Sequence, residues 1–216
     1  MLHQFTGVTE LITNGDFANG TTGWTVTGSG TASIVDNALN YSNTVNGSWF
    51  AQFISQAVSF VQNKIYKVTF KAKNISGSVN LRITHQSHII FNNNLTSSFV
   101  DYTVYYTAQA NNDSIRIFCH DAIGEFQIDN ISVKEVGQHW TFGTGWSMGD
   151  GVASCDGTQT NVTNLSASDG ATTIAGSTYK ITYTISNYSA GTLRVNLGAW
   201  GTYRSANGTY TENIVD

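Results

Sequence analysis

The sequence predicts an all-β protein of two tandem β-sandwich domains, the second incomplete towards its C-terminus. Three observations carry this. Strand-sized apolar segments recur about every 8 to 12 residues, with no stretch of helical period of useful length between them. Only 11% of the 216 residues are charged, and Asn, Ser, Thr and Gly fill the gaps, a composition that suits short strands joined by polar turns. One pattern of strands also occurs twice.

The repeat is clearest at its strongest strand. Tyr66, Val68, Phe70 and Ala72 alternate with Lys67, Thr69, Lys71 and Lys73, the period of a half-buried strand. Tyr179, Ile181, Tyr183 and Ile185 do the same against Lys180, Thr182, Thr184 and Ser186. Each copy continues through Asn-x-Ser (Asn74 to Ser76, Asn187 to Ser189) and a Gly-containing turn into another alternating strand, where Val79, Leu81 and Ile83 match Leu193, Val195 and Leu197. Upstream, each has a Gly-Trp pair, Gly23-Trp24 and Gly145-Trp146, whose indoles read as core residues under a turn. Proline is absent, so the turns fall to Gly, Asn and Asp, which tolerate positive φ.

The first copy goes on to Ile115, Ile117 and Cys119 on one face of a strand, then to a closing segment, Phe126 to Val136. The second reaches Asp216 without counterparts of these two strands. With Gly137 and Gln138 as linker, residues 1–10 form an N-terminal segment, 11–136 a complete sandwich and 139–216 a truncated repeat. A repeat lacking its closing strands exposes a sheet edge and part of an apolar face. Either the chain is a fragment of a longer fibre-like protein, or a neighbouring subunit supplies the strands by β-augmentation, in which case the backbone of Tyr210 to Asp216 pairs across the subunit boundary.

A family resemblance rests on Leu11-Ile12-Thr13-Asn14-Gly15-Asp16-Phe17, Gly23-Trp24, Trp49, Gln52, Lys64 to Phe70 and the closing Phe126-Gln127-Ile128-Asp129-Asn130-Ile131-Ser132-Val133. Together these resemble carbohydrate-binding modules of the family 4/9 type, over Leu11 to Val136. The resemblance implies a jelly roll of two antiparallel sheets with the first and last strands close together. It also implies a sugar platform at Trp49 and Gln52, and a structural calcium between the opening region and the closing strand, at Asp16 and Asp129. Calcium needs about six to eight oxygen ligands, and Ala18 stands where the family has an acid. The second repeat lacks both end motifs and resembles the divergent copies, with segments such as Gly145 to Ala153, that recur in virion proteins of tailed bacteriophages.

The residues admit two readings at the platform. Trp49, with Tyr41 and Gln52 nearby, either presents an aromatic face to a pyranose with an amide for its hydroxyls, or fills the sandwich core. Trp200, in the Gly-rich stretch Gly198 to Tyr203, is a further candidate for a loop contact. Cys119 and Cys155 lie in different repeats, which argues for free thiols rather than a disulfide framework. On a strand, His85 and His88 point to opposite faces, a poor arrangement for a metal. The acids form no facing pair of the kind a glycosidase needs, and no phosphate loop, nucleophile elbow or zinc-protease motif occurs. The expectation is a protein that is not an enzyme and requires no cofactor.

A net charge of −4 with ten Lys and Arg lacks the basic stripe of a nucleic-acid binder. No apolar run approaches the roughly 20 residues that span a bilayer, and no Sec-type signal is visible at Met1 to Glu10. These features point to a virion-surface component of a tailed phage: a tail fibre, head fibre or capsid decoration. It would bind other virion proteins through residues 1–10, assemble as a homo-oligomer and touch a host-surface glycan. The alternative is an extracellular module pair from a secreted polysaccharide-degrading enzyme.

Overall fold

The computed structural model describes residues 9–43, 52–120, 123–137, 140–149, 152–167 and 173–216. The chain divides into two compact units, Met1–Gln138 with Met148–Gly151, and His139–Ser147 with Val152–Asp216.

The first unit runs β1 (Thr25–Thr27), β2 (Thr31–Val35), β3 (Ala38–Asn43), β4 (Phe53–Ala57), β5 (Ile65–Gly77), β6 (Asn80–His85), β7 (His88–Asn94), β8 (Val100–Thr107), β9 (Ser114–Cys119) and β10 (Gly124–Val136). They form two antiparallel five-stranded sheets, ordered β2-β3-β10-β5-β8 and β1-β4-β9-β6-β7. This is a jelly-roll sandwich, and β10 and β9 lie at the centres of its two sheets.

The alternation read in the sequence builds the core between the sheets. Tyr66, Val68, Phe70 and Ala72 of β5 are buried, as are Leu81 and Ile83 of β6 and Ile115, Ile117 and Cys119 of β9. On β10 the inward set changes parity, from Phe126 and Ile128 to Ile131 and Val133. A register shift between Asp129 and Ser132, with Asn130 at φ 54°, inserts the extra residue of a β-bulge and keeps both ends of this long strand apolar inward. Asp36 and Asn37, both at positive φ, make the two-residue turn between Val35 and Ala38, the geometry that matches strand twist in a tight hairpin.

The opening segment lies against β10, as the resemblance implies. The Leu11 amide donates to the Val133 carbonyl at 2.9 Å, and the Ile131 amide to the Gly15 carbonyl at 2.9 Å. Gly15 is required here, because a Cβ would collide with the Ile131 carbonyl. Glu10 belongs to the sandwich rather than to a separate N-terminal segment. It bridges to Lys134, and its carboxylate accepts the amides of Ile12 at 3.0 Å and Val133 at 2.8 Å and the Ser132 hydroxyl. Of the N-terminal segment expected over residues 1–10, residues 1–8 lie outside the described residues.

The chain after Gln138 contains β11 (Trp140–Phe142), β12 (Trp146–Gly149, of which Met148 and Gly149 group with the first unit), β13 (Val152–Cys155), β14 (Leu165–Ala167), β15 (Thr178–Ile185), β16 (Asn196–Leu197), β17 (Ala199–Trp200) and β18 (Gly208–Val215). These form four two-stranded pairs: β11-β14, β12-β13, β15-β18 and β16-β17. The pairs β15-β18 and β16-β17 repeat β5-β8 and β6-β7, with Tyr179 opposite Ile214 where the first unit has Tyr66 opposite Tyr106. Gly23 and Gly145 both sit at positive φ, and the amides of Trp24 and Trp146 both close a turn onto the carbonyl three residues back, so the Gly-Trp signal is one turn used twice. Trp24 is buried as expected, whereas Trp146 is only partly covered.

Gly208–Val215, which holds most of the segment Tyr210 to Asp216, pairs along one edge with Thr178–Ile185 of the same chain, as β8 pairs with β5. Among the described residues of the second unit, no strand takes the places of β9 and β10, the two central ones of the first.

Candidate functional site

The two outer faces of the first sandwich differ in how their charges are used. On the β2-β3-β10-β5-β8 sheet the charges pair with one another: Lys71 with Asp129 at 3.0 Å, Lys64 with Glu135 at 3.3 Å and Lys134 with Glu10 at 3.7 Å. Asn40 donates to Glu125 at 2.6 Å. Lysine ammoniums also lie over the Phe99 ring at 4.7 and 5.1 Å.

The outer face of β4-β9-β6-β7 carries aromatic rings, guanidiniums and amides. It is set by the positions that alternate with the apolar ones: Phe53 on β4, Arg116 and Phe118 on β9, Arg82 and Asn80 on β6, Asn92 and Asn94 on β7. Register aligns Phe118 with Arg82 and Arg82 with Asn92. The Arg82 Nε donates to Asn92 Oδ1 at 3.1 Å, and Asn80 Nδ2 to Asn94 Oδ1 at 3.0 Å. The Arg116 guanidinium stands 5.3 Å from the centre of the Phe53 ring and 3.5 Å from Asp113. Asn80 Oδ1 and Thr84 Oγ1 are buried on this side without a partner among the described residues. The face thus offers a ring to pack on C–H groups beside planar donors suited to hydroxyls.

Sequence reasoning looked elsewhere for the platform. Trp49 lies outside the described residues. Tyr41 is corrected to a core residue. It is 0% exposed and packs on Phe126 with ring centres 5.5 Å apart, because it shares the inward parity of Leu39. Gln52 is buried too, with its amide donating to the Ser29 hydroxyl at 2.9 Å. The signal missed was the other half of a correctly read alternation. Opposite Ile115, Ile117 and Cys119 stand Arg116, which is partly exposed, and Phe118, which shares its parity but is covered at 2% exposure.

Trp200 is exposed at 56% in the second unit, and Tyr203 at 59%. Between them lies Arg194, its guanidinium 3.7 Å from the Trp200 ring centre and 4.5 Å from that of Tyr203.

At the expected calcium position, the Ile131 amide bonded to the Gly15 carbonyl joins the segments that carry Asp16 and Asp129. Asp16 accepts the Ala18 amide at 3.3 Å in its own turn. Asp129 accepts the Asn130 amide at 2.7 Å and holds the Lys71 ammonium. Among the described residues no three His, Cys, Asp or Glu side chains are grouped to hold a metal. His85 is buried and bonded at both nitrogens, 2.9 Å from the Tyr106 hydroxyl and 2.6 Å from the Asn112 carbonyl. Cys119 is a buried free thiol, and Cys155 a free thiol that is exposed.

A family model described as a carbohydrate binding domain matches residues 9–121, just over half of the chain. No curated protein matches by sequence. Among solved structures, a family 4 carbohydrate-binding module (CBM4) is similar at 18% identity and a TM-score of 0.49, over 57% of this chain and 99% of that one. The CBM22-1 xylan-binding domain of Xyn10C from Paenibacillus barcinonensis is similar at 17% and 0.47, over 60% and 96%. Tailspike protein 4 of bacteriophage CBA120 is similar at 16% and 0.45, over 59% of this chain and 21% of that one. No helix among the described residues is long and apolar enough to cross a membrane.

Proposed function

Since the chain belongs to the carbohydrate-binding family whose domain occupies residues 9–121, we propose that it holds glycan on the outer face of β4-β9-β6-β7 and carries out no chemistry on it. The observation that carries this is the strip on one face that aligns a partly exposed ring, Phe53, with the Arg116 and Arg82 guanidiniums and the Asn92 amide, where the charges of the other sheet are spent on ion pairs with one another. A pyranose laid along this strip packs its C–H face on Phe53 and takes hydrogen bonds from Arg82 and the asparagines. Electrophoresis through gels containing soluble β-glucan or xylan tests it. Retardation of the full chain is expected, weakened about tenfold in Phe53→Ala and in Arg82→Ala, which corresponds to roughly 1.4 kcal/mol. Absence of binding across a broad panel of neutral glycans overturns it.

The setting in this proposal is the surface of a tailed-phage virion, with the modules serving as adhesive spacers and residues 1–10 facing other virion proteins. Its support is the duplicated module and the likeness of the second copy to those of virion proteins. Repeated modules in a homo-oligomer turn weak single-site affinity into firm attachment. Mass spectrometry of purified particles should find the protein. Its recovery instead from culture medium, joined to a catalytic domain, favours the extracellular alternative.

A further inference from the structure

We propose that the second unit carries its own ligand platform, formed by Trp200, Arg194 and Tyr203, and that it takes a saccharide bearing a carboxylate. The inference rests on the glycan-binding reading above, but on different residues and a different ligand chemistry.

Position is the first support. With Leu197 at the place of Ile83 in the repeat, the partner of Asn196 is Trp200, as the partner of Arg82 is Asn92. Trp200 and Arg194 therefore stand on the side of β16-β17 that corresponds to the outer face of β6-β7. Leu193, Val195 and Leu197 turn the other way, and the bridge between Leu193 and Arg204 puts Tyr203 on the Arg194 side. The platform is the repeat's version of the face described for the first unit.

Chemistry is the second. Two large rings more than half exposed retain area for a ligand. Arg194 is stacked against both and has no carboxylate partner among the described residues. Arg204, on the opposite side, pairs with Glu212 at 3.6 Å. A guanidinium stacked on aromatic faces keeps its N–H edge outward, a rigid fork that matches a carboxylate with two parallel hydrogen bonds. By the same register Arg194 stands at the place of Asn80 and Trp200 at that of Asn92, so what is a pair of amide positions in the first unit becomes a stacked guanidinium and indole in the second. A neutral sugar uses the rings and leaves the charge idle, whereas a carboxylated pyranose uses both.

The test is calorimetric titration of the full chain with galacturonic acid tetramer, with xylotetraose and a sulfated dextran oligosaccharide as comparison probes. The expected result is a preference for the galacturonate oligomer. Arg194→Gln should lower its affinity roughly 10- to 100-fold, as expected for loss of a charge-assisted hydrogen-bonding pair, and so should Trp200→Ala. Phe53→Ala should leave it unchanged, and raising salt from about 50 to about 500 mM should weaken it. Trp200→Phe, which keeps a ring, should retain most of the affinity and guards against a folding defect in the alanine variant. The proposal is overturned if the tetramer binds no tighter than xylotetraose, if the sulfated probe binds as tightly, or if Arg194→Gln has no effect. Loss of galacturonate binding in Phe53→Ala also overturns it, by assigning the acid to the first unit. Loss of xylan binding alone, with galacturonate binding retained, counts against the first-unit face and leaves this one standing.

Discussion

Tyr41 and His85 are both buried polar aromatics of the first unit, and their environments lead to opposite expectations. The Tyr41 hydroxyl has no partner among the described residues, and it lies where a Cβ on Gly30 would strike it. Burial, with the Cys119 thiol nearby, pushes its pKa up to about 12. An unsatisfied buried hydroxyl costs about 1–3 kcal/mol, so Tyr41→Phe is expected to stabilise the protein by about 1 kcal/mol in urea unfolding. His85 has both nitrogens engaged. With Nε2 donating to the Asn112 carbonyl, Nδ1 accepts from Tyr106, so the ring is neutral. Burial holds its pKa below the usual value, against the opposing pull of the Asn112 carbonyl and Asp113 and with help from His88 and Arg116. Below about pH 6.5 the unfolded chain takes up a proton that the folded ring resists. Stability should therefore be full above that pH and fall as pH drops towards the depressed folded value. A thermal midpoint that declines from pH 7 to 5 in the parent, with a flatter decline in His85→Gln, checks this. At this scale the sequence told core from surface well where apolar residues alternate, as at Ile115 and Ile117. It misled at Tyr41, because an aromatic beside polar residues reads as a platform until its parity with Leu39 is counted.

Among elements, β10 does the most to hold the first unit together, pairing with β3, with β5 and with the opening segment. Its bulge at Asn130 turns the strand's apolar side inward twice and presents the Ile131 amide to Gly15. Gly15→Ala is expected to cost about 2–4 kcal/mol, since the collision with the Ile131 carbonyl is with backbone that cannot swing aside. Chemical denaturation with an unchanged m-value would show this as lost stability rather than altered compactness. Lys71→Ala should cost less than Gly15→Ala but should expose the Asp129 carboxylate. If the ammonium is the cation this junction uses, EDTA leaves the parent's thermal midpoint unchanged. The strands were legible from period-two alternation. The bulge has a sequence mark, the adjacent polar pair Asp129-Asn130 that breaks the alternation between Ile128 and Ile131, but read as one closing segment the strand hid it. The candidate face was only half legible, because the outward positions of β6 and β9 carry no apolar signal to announce them.

Across the whole chain, burial is uneven. Nearly all of the large buried apolar side chains belong to the first unit, and Ile214 is the buried hydrophobic residue of the second among those described. Stability within one chain follows such differences in local packing. Amide exchange in β15 and β18 is expected to be faster than in β5 and β8, even though the two pairs share a register. Hydrogen-exchange mass spectrometry on the full chain measures this, and equal protection of both pairs would contradict it.

The opening segment runs antiparallel to the last residues of β10, with Glu10 opposite Lys134, so the backbone enters and leaves the first sandwich at the same end. Tension applied between residue 10 and residue 136 would load the Glu10, Ser132 and Lys134 contacts first and then open the backbone bonds of Leu11 and Gly15 one after another, in the manner of a zip rather than a shear. The first unit should yield to low force in single-molecule pulling. Glu10→Ala should lower that force further without touching the glycan face, making the closure of the sandwich, rather than its grip on sugar, the mechanical limit of any attachment it makes.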